Sequence, residues 1–300
     1  NNYVALLIQW RIFMIMRPIG KHRQILFGLI GICILCVGYE WISYNQHKKN
    51  PDNTTIPNFT QLYDGILQII TPRNSDIKSV FGVSDESNSS WISNMQTTML
   101  YQDITSTYSR LFKGMLIGCS IATIVGLLMG CYETFAAFLL PLLSFLAKVP
   151  GTAMLAVFFV MVGTGESMFS AMIGFGILPT LTQSIYLSAR DDIHDEEINK
   201  AYTLGASNIE VIFNVVWKQI LPKVIDSIRL QFGPAMVYLI AAEMLTGQVG
   251  IGYQIRIQQR LLNMAVVYDY IIILGLTGLL IDFLMESIRS KLCPWYEKLK

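Results

Sequence analysis

The side chains best placed to do chemistry in this 300-residue chain are polar groups within apolar stretches. Glu243 lies near the end of one stretch, where an ionisable group is a functional hypothesis by default; the alternative is a structural role, at an interface or capping a neighbouring loop. Thr180 and Ser184 could line a path for a polar solute or hydrogen-bond within a helix bundle. Pro150 breaks another stretch, and irregular backbone at membrane depth needs cover from protein or a water-filled cavity. These four residues are the candidates for a translocation pathway.

The patterns of common catalytic and metal sites are missing from the sequence. There is no His-x-x-x-His, no Gly-x-Ser-x-Gly and no carboxylate pair in the middle of an apolar stretch, and all three histidines lie outside these stretches. There is also no G-x-x-x-x-G-K-[ST], the loop that cradles nucleotide phosphates. We therefore predict no catalytic residue, no metal site and no cofactor held by this chain. The five cysteines do not form the two C-x-x-C pairs of a metal site and are interpreted as small buried hydrophobes.

The elements that must position these residues are membrane helices. Only 14% of the residues are charged and the mean hydropathy is +0.46, whereas soluble domains carry about 25% charged residues. Such a chain cannot hide its apolar surface in one globular core, so the expected class is an all-α membrane protein with the lipid bilayer as a partner. A net charge of +1 argues against a nucleic-acid partner.

Six crossings of a hydrocarbon core about 30 Å thick are predicted. They cover about 25–44, 111–130, 135–163 (broken at Pro150), 168–187, 228–246 and 270–285. Residues 1–24 form a basic N-terminal arm, 45–110 an external loop with short helices, 111–288 the core domain, and 289–300 a basic tail. Because basic residues favour the cytoplasmic side, both ends are placed in the cytoplasm.

The longest charged interruption of the core is residues 196–222, which this topology places in the cytoplasm. Ile198, Ala201 and Tyr202 fall near one helical face. Gly205 permits a helix C-cap, Ser207 can cap a second helix, and Leu221-Pro222 is expected to end the unit. Two short helices joined at Gly205 would form a compact knob for a soluble partner; an amphipathic linker lying on the headgroups is the alternative.

This segment resembles the cytoplasmic loop of permease subunits of bacterial ABC importers. The usual form is Glu-Ala-Ala, three residues, Gly, nine residues, Ile, one residue, Leu-Pro; here Asn199-Lys200-Ala201 occupies the first place and Gly205 is the glycine. Further stretches are similar to the branch that imports nitrate, sulfonates, taurine and bicarbonate, over about residues 105–295. They are Lys148-Val-Pro150, TLGAS (203–207), AAEM (241–244), Gly250-Ile-Gly-Tyr253 and LGLTGLLIDFL (274–284).

The resemblance implies a type I ABC importer permease fold in the bacterial inner membrane. It implies a second permease subunit, giving a homodimer, two ATPase subunits that bind ATP and magnesium, and an extracytoplasmic solute-binding protein that delivers a small anion. The residues expected to couple the pore to the ATPase are Ala201, Leu204, Gly205, Ala206 and Ser207. The alternative function is an ion-coupled secondary transporter, a class that often has internal repeats; none is evident here.

Overall fold

The computed structural model describes residues 21–49, 54–70 and 98–297. Most of the predicted N-terminal arm, residues 1–20, lies outside these ranges, as do residues 50–53 and 71–97 of the predicted external loop. The chain divides into two compact units, Asn1–Tyr63 and Asp64–Lys300. The regular elements in the described ranges are helices, which confirms the predicted all-α class.

The helices are numbered in chain order. In the first unit α1 is Lys21–Lys49, and α2 (Phe59–Ile70) begins there and ends in the second unit. The second unit continues with α3 Met99–Cys131, α4 Glu133–Leu146, α5 Leu155–Val162, α6 Glu166–Asp191, α7 Asp195–Thr203, α8 Asn208–Val211, a π-helical turn Ile212–Val216, α9 Trp217–Thr246, α10 Ile251–Arg260, α11 Met264–Leu292 and α12 Pro294–Glu297.

In the first unit, the segment before α2 is fastened to α1 by hydroxyl groups. Tyr39 Oη donates to the carbonyl oxygen of Pro57 at 2.7 Å. The buried Ser43 hydroxyl donates to Asn58 Oδ1 at 2.6 Å. Most of the α1 surface between these contacts and residue 26 is exposed and apolar, as a lipid-facing helix requires.

Five helices in the described ranges are each long and apolar enough to cross a bilayer, where the sequence predicted about six spans. They are Leu26–Lys49, Met99–Cys131, Glu166–Asp191, Asn208–Thr246 and Met264–Leu292. The stretch 135–163 is divided between α4 and α5 by a turn that contains Pro150. The 14 residues of α4 span only about 21 Å at 1.5 Å per residue, so the predicted third span is divided between two shorter helices.

The most extensive helix–helix packing in the second unit is between α3 and α6, and glycines allow the two helices to approach closely. A Cβ at Gly114 would lie 2.7 Å from Ile173 Cδ1, and one at Gly130 would collide with Ala189 Cβ. The glycines of α3 are therefore packing residues within the chain. The helix begins at Met99, capped by Thr98. The span was predicted to start later, at 111, because the first three turns of the helix are largely polar.

The membrane re-entry after the charged segment also differs from the prediction. Pro222 does not end a unit: it is buried inside α9, and the helical path runs from Asn208 through the π turn to Thr246. An internal proline costs about 3 kcal/mol of helix stability. Burial of Ile220 and Val224, which are at most 2% exposed, offsets this cost, since each buried aliphatic side chain contributes about 1.5–3 kcal/mol.

Candidate functional site

The first candidate site is the knob, residues 195–216, which links α6 to α9. Its first helix, α7, carries three acidic residues in the first turn, where they complement the helix dipole. The helix ends in a Schellman motif: Ala206 N donates to Ala201 O at 3.1 Å and Gly205 N to Tyr202 O at 2.9 Å. Gly205 has φ 86°, a left-handed conformation that favours glycine. The predicted turn at Gly205 is therefore confirmed.

The second half of the knob is held by a capping box. The Ser207 amide donates to Glu210 Oε2 at 2.8 Å, and the Glu210 amide donates to Ser207 Oγ at 3.4 Å. Tyr202 Oη also donates to Asn208 Oδ1 at 3.0 Å, which joins the two helices across the turn. The knob is therefore held in a fixed shape.

The knob has an inner and an outer apolar side. Ala201 and Ala206 pack against a buried cluster formed by residues of α3, α6, α9 and the knob itself. Leu204 points away and is 88% exposed. Ile209 and Phe213 are 67% and 60% exposed. Exposed apolar side chains on a charged, rigid loop are typical of a protein-binding surface.

A second candidate site is a row of polar pairs between α6 and α9. Thr180 Oγ1 donates to Gln231 Oε1 at 3.3 Å, and Thr180 is exposed. One turn further along, the hydroxyls of Ser184 and Ser227 lie 2.8 Å apart. The sequence pointed to Thr180 and Ser184, whereas Gln231 and Ser227 emerge only from the packing. Pro150 is exposed in the turn before α5 and lies outside this row.

The third candidate site surrounds Glu243, which is fully buried. Its carboxylate accepts hydrogen bonds from Thr107 Oγ1 at 3.0 and 2.9 Å and from the Gly252 amide at 3.0 Å. Thr107 Oγ1 in turn accepts from the Ile251 amide at 2.9 Å. Glu243 thus caps the start of α10, which is the structural role that the sequence left open.

Asp103 extends the same cap. Its Oδ1 accepts from the Gly250 amide at 3.1 Å, and its Oδ2 accepts from Tyr270 Oη at 2.7 Å. Three successive amides at the N-terminus of α10 therefore point at side chains of α3 and α9. Because the free amides carry the positive end of the helix dipole, two carboxylates are well placed there.

Arg110 joins this cap to α6. Its Nη1 donates to Glu243 Oε1 at 2.9 Å and to the carbonyl of Val249 at 2.7 Å. Its Nε and Nη2 donate to the carboxylate of Glu166 at 2.7–3.0 Å. The guanidinium also lies 4.4 Å from the centre of the Phe169 ring, a cation–π distance. One cation therefore connects α3, α6 and α9.

Sequence reasoning missed Asp103, Thr107 and Arg110. All three were placed in the external loop because their surroundings are polar. Their spacing of four and three residues puts them on one face of a helix, which is the signal that could have revealed the cap. We call Asp103, Thr107, Arg110, Glu166 and Glu243 the Arg110 network.

Comparison with known proteins gives a consistent result. Residues 114–292 match the family described as "Binding-protein-dependent transport system inner membrane component". A "Probable ABC transporter permease protein" of Brucella abortus (strain 2308) is 26% identical over 201 residues, 66% of this chain and 79% of the relative. The taurine transport system permease protein TauC of Escherichia coli (strain K12) is 24% identical, over 66% of this chain and 71% of TauC.

Two further matches bear on solute and fold. The nitrate import permease protein NrtB of Leptolyngbya laminosa is 27% identical over 66% of this chain and 71% of NrtB. Among solved structures, an inward-facing conformation of the MetNI methionine ABC transporter aligns with a TM-score of 0.50 and 15% identity, over 64% of this chain and 94% of that chain. The structural likeness supports the predicted type I importer permease fold.

Proposed function

The chain belongs to the binding-protein-dependent transport system inner membrane components, and from this membership we propose that it is the membrane-spanning subunit of an ATP-driven importer. Two copies of the chain enclose the pathway, two separate ATPase subunits bind ATP and magnesium, and an extracytoplasmic solute-binding protein delivers the solute. The observation that carries the proposal is the knob, a rigid unit with outward apolar side chains on an otherwise charged loop.

The knob is the proposed contact with the ATPase. Leu204 and its exposed neighbours Ile209 and Phe213 would enter an apolar groove, as amphipathic helices do in other complexes. Ala201 and Ala206 face inward, so that a push on the knob reaches the cluster under α6 and α9. Gly205 and Ser207 keep the two halves of the knob at a fixed angle. Each of the five predicted coupling residues therefore has a distinct proposed role.

The orientation follows from the distribution of charge. The face of the second unit that bears the knob carries a set of basic residues, several of them in ion pairs: Arg190, Lys200, Lys218, Lys223, Arg229, Arg289 and Lys291. At the opposite ends of the helices, α10 contributes Arg256 and Arg260. Because basic residues favour the cytoplasmic side, we place the knob and the C-terminus in the cytoplasm of a multi-pass inner-membrane protein. The N-terminus is placed there because basic residues precede the first apolar run of the sequence.

The proposed pathway follows the polar pairs between α6 and α9. Thr180 and Gln231 offer neutral hydrogen-bonding groups on an exposed part of the helix surface, and Ser184 and Ser227 continue the row. In a dimer such a row would face its counterpart across the pore. Glu243 and Pro150 act indirectly in this scheme: Glu243 holds α10 through its cap, and the turn at Pro150 lets α4 and α5 change direction.

The proposed solute is a small anion such as nitrate, bicarbonate or a sulfonate. The support is the set of relatives named for taurine, aliphatic sulfonates and nitrate. Neutral hydroxyls and amides suit a hydrated anion that must be released again. Strong selection at this row is not required when a binding protein selects the solute beforehand.

Reconstitution tests the proposal. Uptake of labelled nitrate, bicarbonate and taurine is first measured in a deletion strain, which identifies the solute whose uptake is lost. The purified chain is then placed in liposomes, with and without its ATPase subunits, and assayed for uptake of that solute. We expect uptake only with ATPase, ATP and binding protein together. Uptake by the chain alone, driven by an ion gradient, would refute the proposal and favour a secondary transporter.

A further inference from the structure

An apolar surface lies at the membrane face opposite the knob and has no part in the proposed pathway. It consists of the outward side of α2 and the turn between α10 and α11. Its members are 42–69% exposed: Ile66, Leu67, Ile70, Leu261 and Leu262. We call these five residues the apolar platform. Five large aliphatic side chains exposed in so small a region call for a contact with something apolar.

The two parts of the platform are fixed to the start of α11. Asn263 Nδ2, in the turn, donates to Gln68 Oε1 on α2 at 3.0 Å. Gly65 packs so closely on the first turn of α11 that an added Cβ would lie 3.3 Å from Ala265 C and Val266 N. Ile69, on the same side of α2 as Gly65, is only 2% exposed. These contacts fix the position of the platform along the axis of α11.

Leu262 gives the platform an unusual element. Among the described residues other than glycine, Leu262 is the one with a positive φ, 58°. A left-handed leucine is strained, yet its side chain is 69% exposed rather than packed in the core. This conformation ends α10 in a Schellman motif, in which Leu262 N donates to Gln259 O at 3.2 Å and Asn263 N to Gln258 O at 3.0 Å, so backbone hydrogen bonds hold the turn that presents the side chain.

The position of the platform along α11 indicates what the platform contacts. α11 is a membrane span, and its exposed apolar residues begin with Ile271, Ile272 and Leu276. α2 covers the first turns of α11, where Val266, Val267 and Tyr270 are buried against Ile69, so the outward side of α2 takes the place of the exposed α11 surface at this end of the span. We propose that the platform inserts into the boundary between the lipid headgroups and acyl chains, so that α2 lies in the membrane interface as an amphipathic helix.

The charge of α2 sharpens the proposal. Its single charged residue is Asp64, and it has no lysine or arginine. Binding therefore comes from buried apolar area rather than from attraction to anionic lipids. The same contact should form in zwitterionic and anionic bilayers. A platform of this kind would hold the α10–α11 turn, and with it the Arg110 network, at a constant depth.

Site-specific fluorescence quenching tests this inference without reference to transport. Bimane is attached to Leu67→Cys or Leu262→Cys in a background without the five native cysteines, in nanodiscs of phosphatidylcholine brominated near the headgroup. Asp64→Cys, on the polar side of the same helix, and Leu204→Cys, on the knob, are matched controls. We expect about twofold quenching by the brominated lipid at the two platform positions and little at the controls.

Quenching by iodide, which stays in the aqueous phase, measures the exposure of each label to water. We expect iodide to quench the labels at Asp64 and Leu204 but not those of the platform. Iodide quenching at Leu67 and Leu262 equal to that at Leu204, with no effect of brominated lipid, would overturn the proposal and assign the surface to a water-soluble protein partner. Ile70→Cys on the same face serves if Leu262→Cys does not fold, as judged by size-exclusion chromatography.

Discussion

Arg110 is paired with two carboxylates that differ mainly in burial, and this makes a controlled experiment possible. The Glu243 side chain is fully buried, whereas that of Glu166 is 65% exposed. Both accept hydrogen bonds of about the same length from the same guanidinium. Glu243→Gln and Glu166→Gln therefore remove the same charge at two levels of exposure to solvent.

The expected cost of Glu243→Gln is about 3 kcal/mol. Breaking a buried ion pair by removing one partner costs about 3–5 kcal/mol, and glutamine can keep part of the contact through its carbonyl oxygen. Its amide nitrogen cannot accept the hydrogen bond from Gly252 N that Glu243 Oε2 accepts now, and a buried unpaired amide costs about 1–3 kcal/mol. Glu166→Gln should cost at most about 1 kcal/mol, because exposed ion pairs contribute little.

The assay is thermal unfolding of each purified variant in the same detergent. With about 2–4 °C per kcal/mol for a domain of this size, Glu243→Gln should lower the unfolding temperature by about 6–12 °C. Glu166→Gln should lower it by no more than about 4 °C. Hydrogen exchange at the first amides of α10 should accelerate in Glu243→Gln alone, because that residue caps the helix.

Equal shifts for the two variants would refute the reasoning, since burial would then have no effect on the strength of the pairs. A normal unfolding temperature for Glu243→Gln together with altered solute uptake would also contradict it. That result would return Glu243 to the pathway role considered from the sequence.

Two further predictions concern packing and caps. Gly114→Val should prevent correct folding because the new side chain collides with Ile173 of α6, whereas Gly275→Val, which has open space around it, should fold; monodispersity on size-exclusion chromatography separates the two outcomes, and a folded Gly114→Val would contradict the close approach. Ser207→Ala should destabilise the second half of the knob by about 1 kcal/mol and speed hydrogen exchange there about fivefold; unchanged exchange would mean that the capping box adds no stability.

The features that the sequence predicted well are those decided by local chemistry. Lipid selects long apolar runs, so hydropathy located the spans, and a broken run marked the divided crossing at Pro150. The turn of the knob was predictable because Gly205 and Ser207 are the residue types that a left-handed C-cap and an N-cap require. Pro222 misled the prediction because tertiary burial outweighs the local preference of proline.

The Arg110 network was beyond this kind of reasoning because its contacts are distant in sequence. Arg110 and Glu243 are 133 residues apart, and Thr107 lies 144 residues from the amide it accepts from. Only the packing of α3 against α9 brings them together. Phe213 of the knob and the residues of the platform were missed for a related reason: periodicity predicts which face is apolar, not which apolar face remains uncovered.

Cross-linking at Leu204 tests the central claim most directly, that this chain is driven by a separate ATPase through the knob. A photoreactive residue is placed at Leu204 or at Leu261. Both are helix C-cap residues with nearly the same backbone angles, φ −82° and −81°, but they lie on opposite membrane faces. We predict that irradiation of native membranes joins an ATP-binding cassette subunit to the chain from position 204 and not from 261. A cross-link to that subunit from 261, or none from 204 in the assembled transporter, would contradict the account.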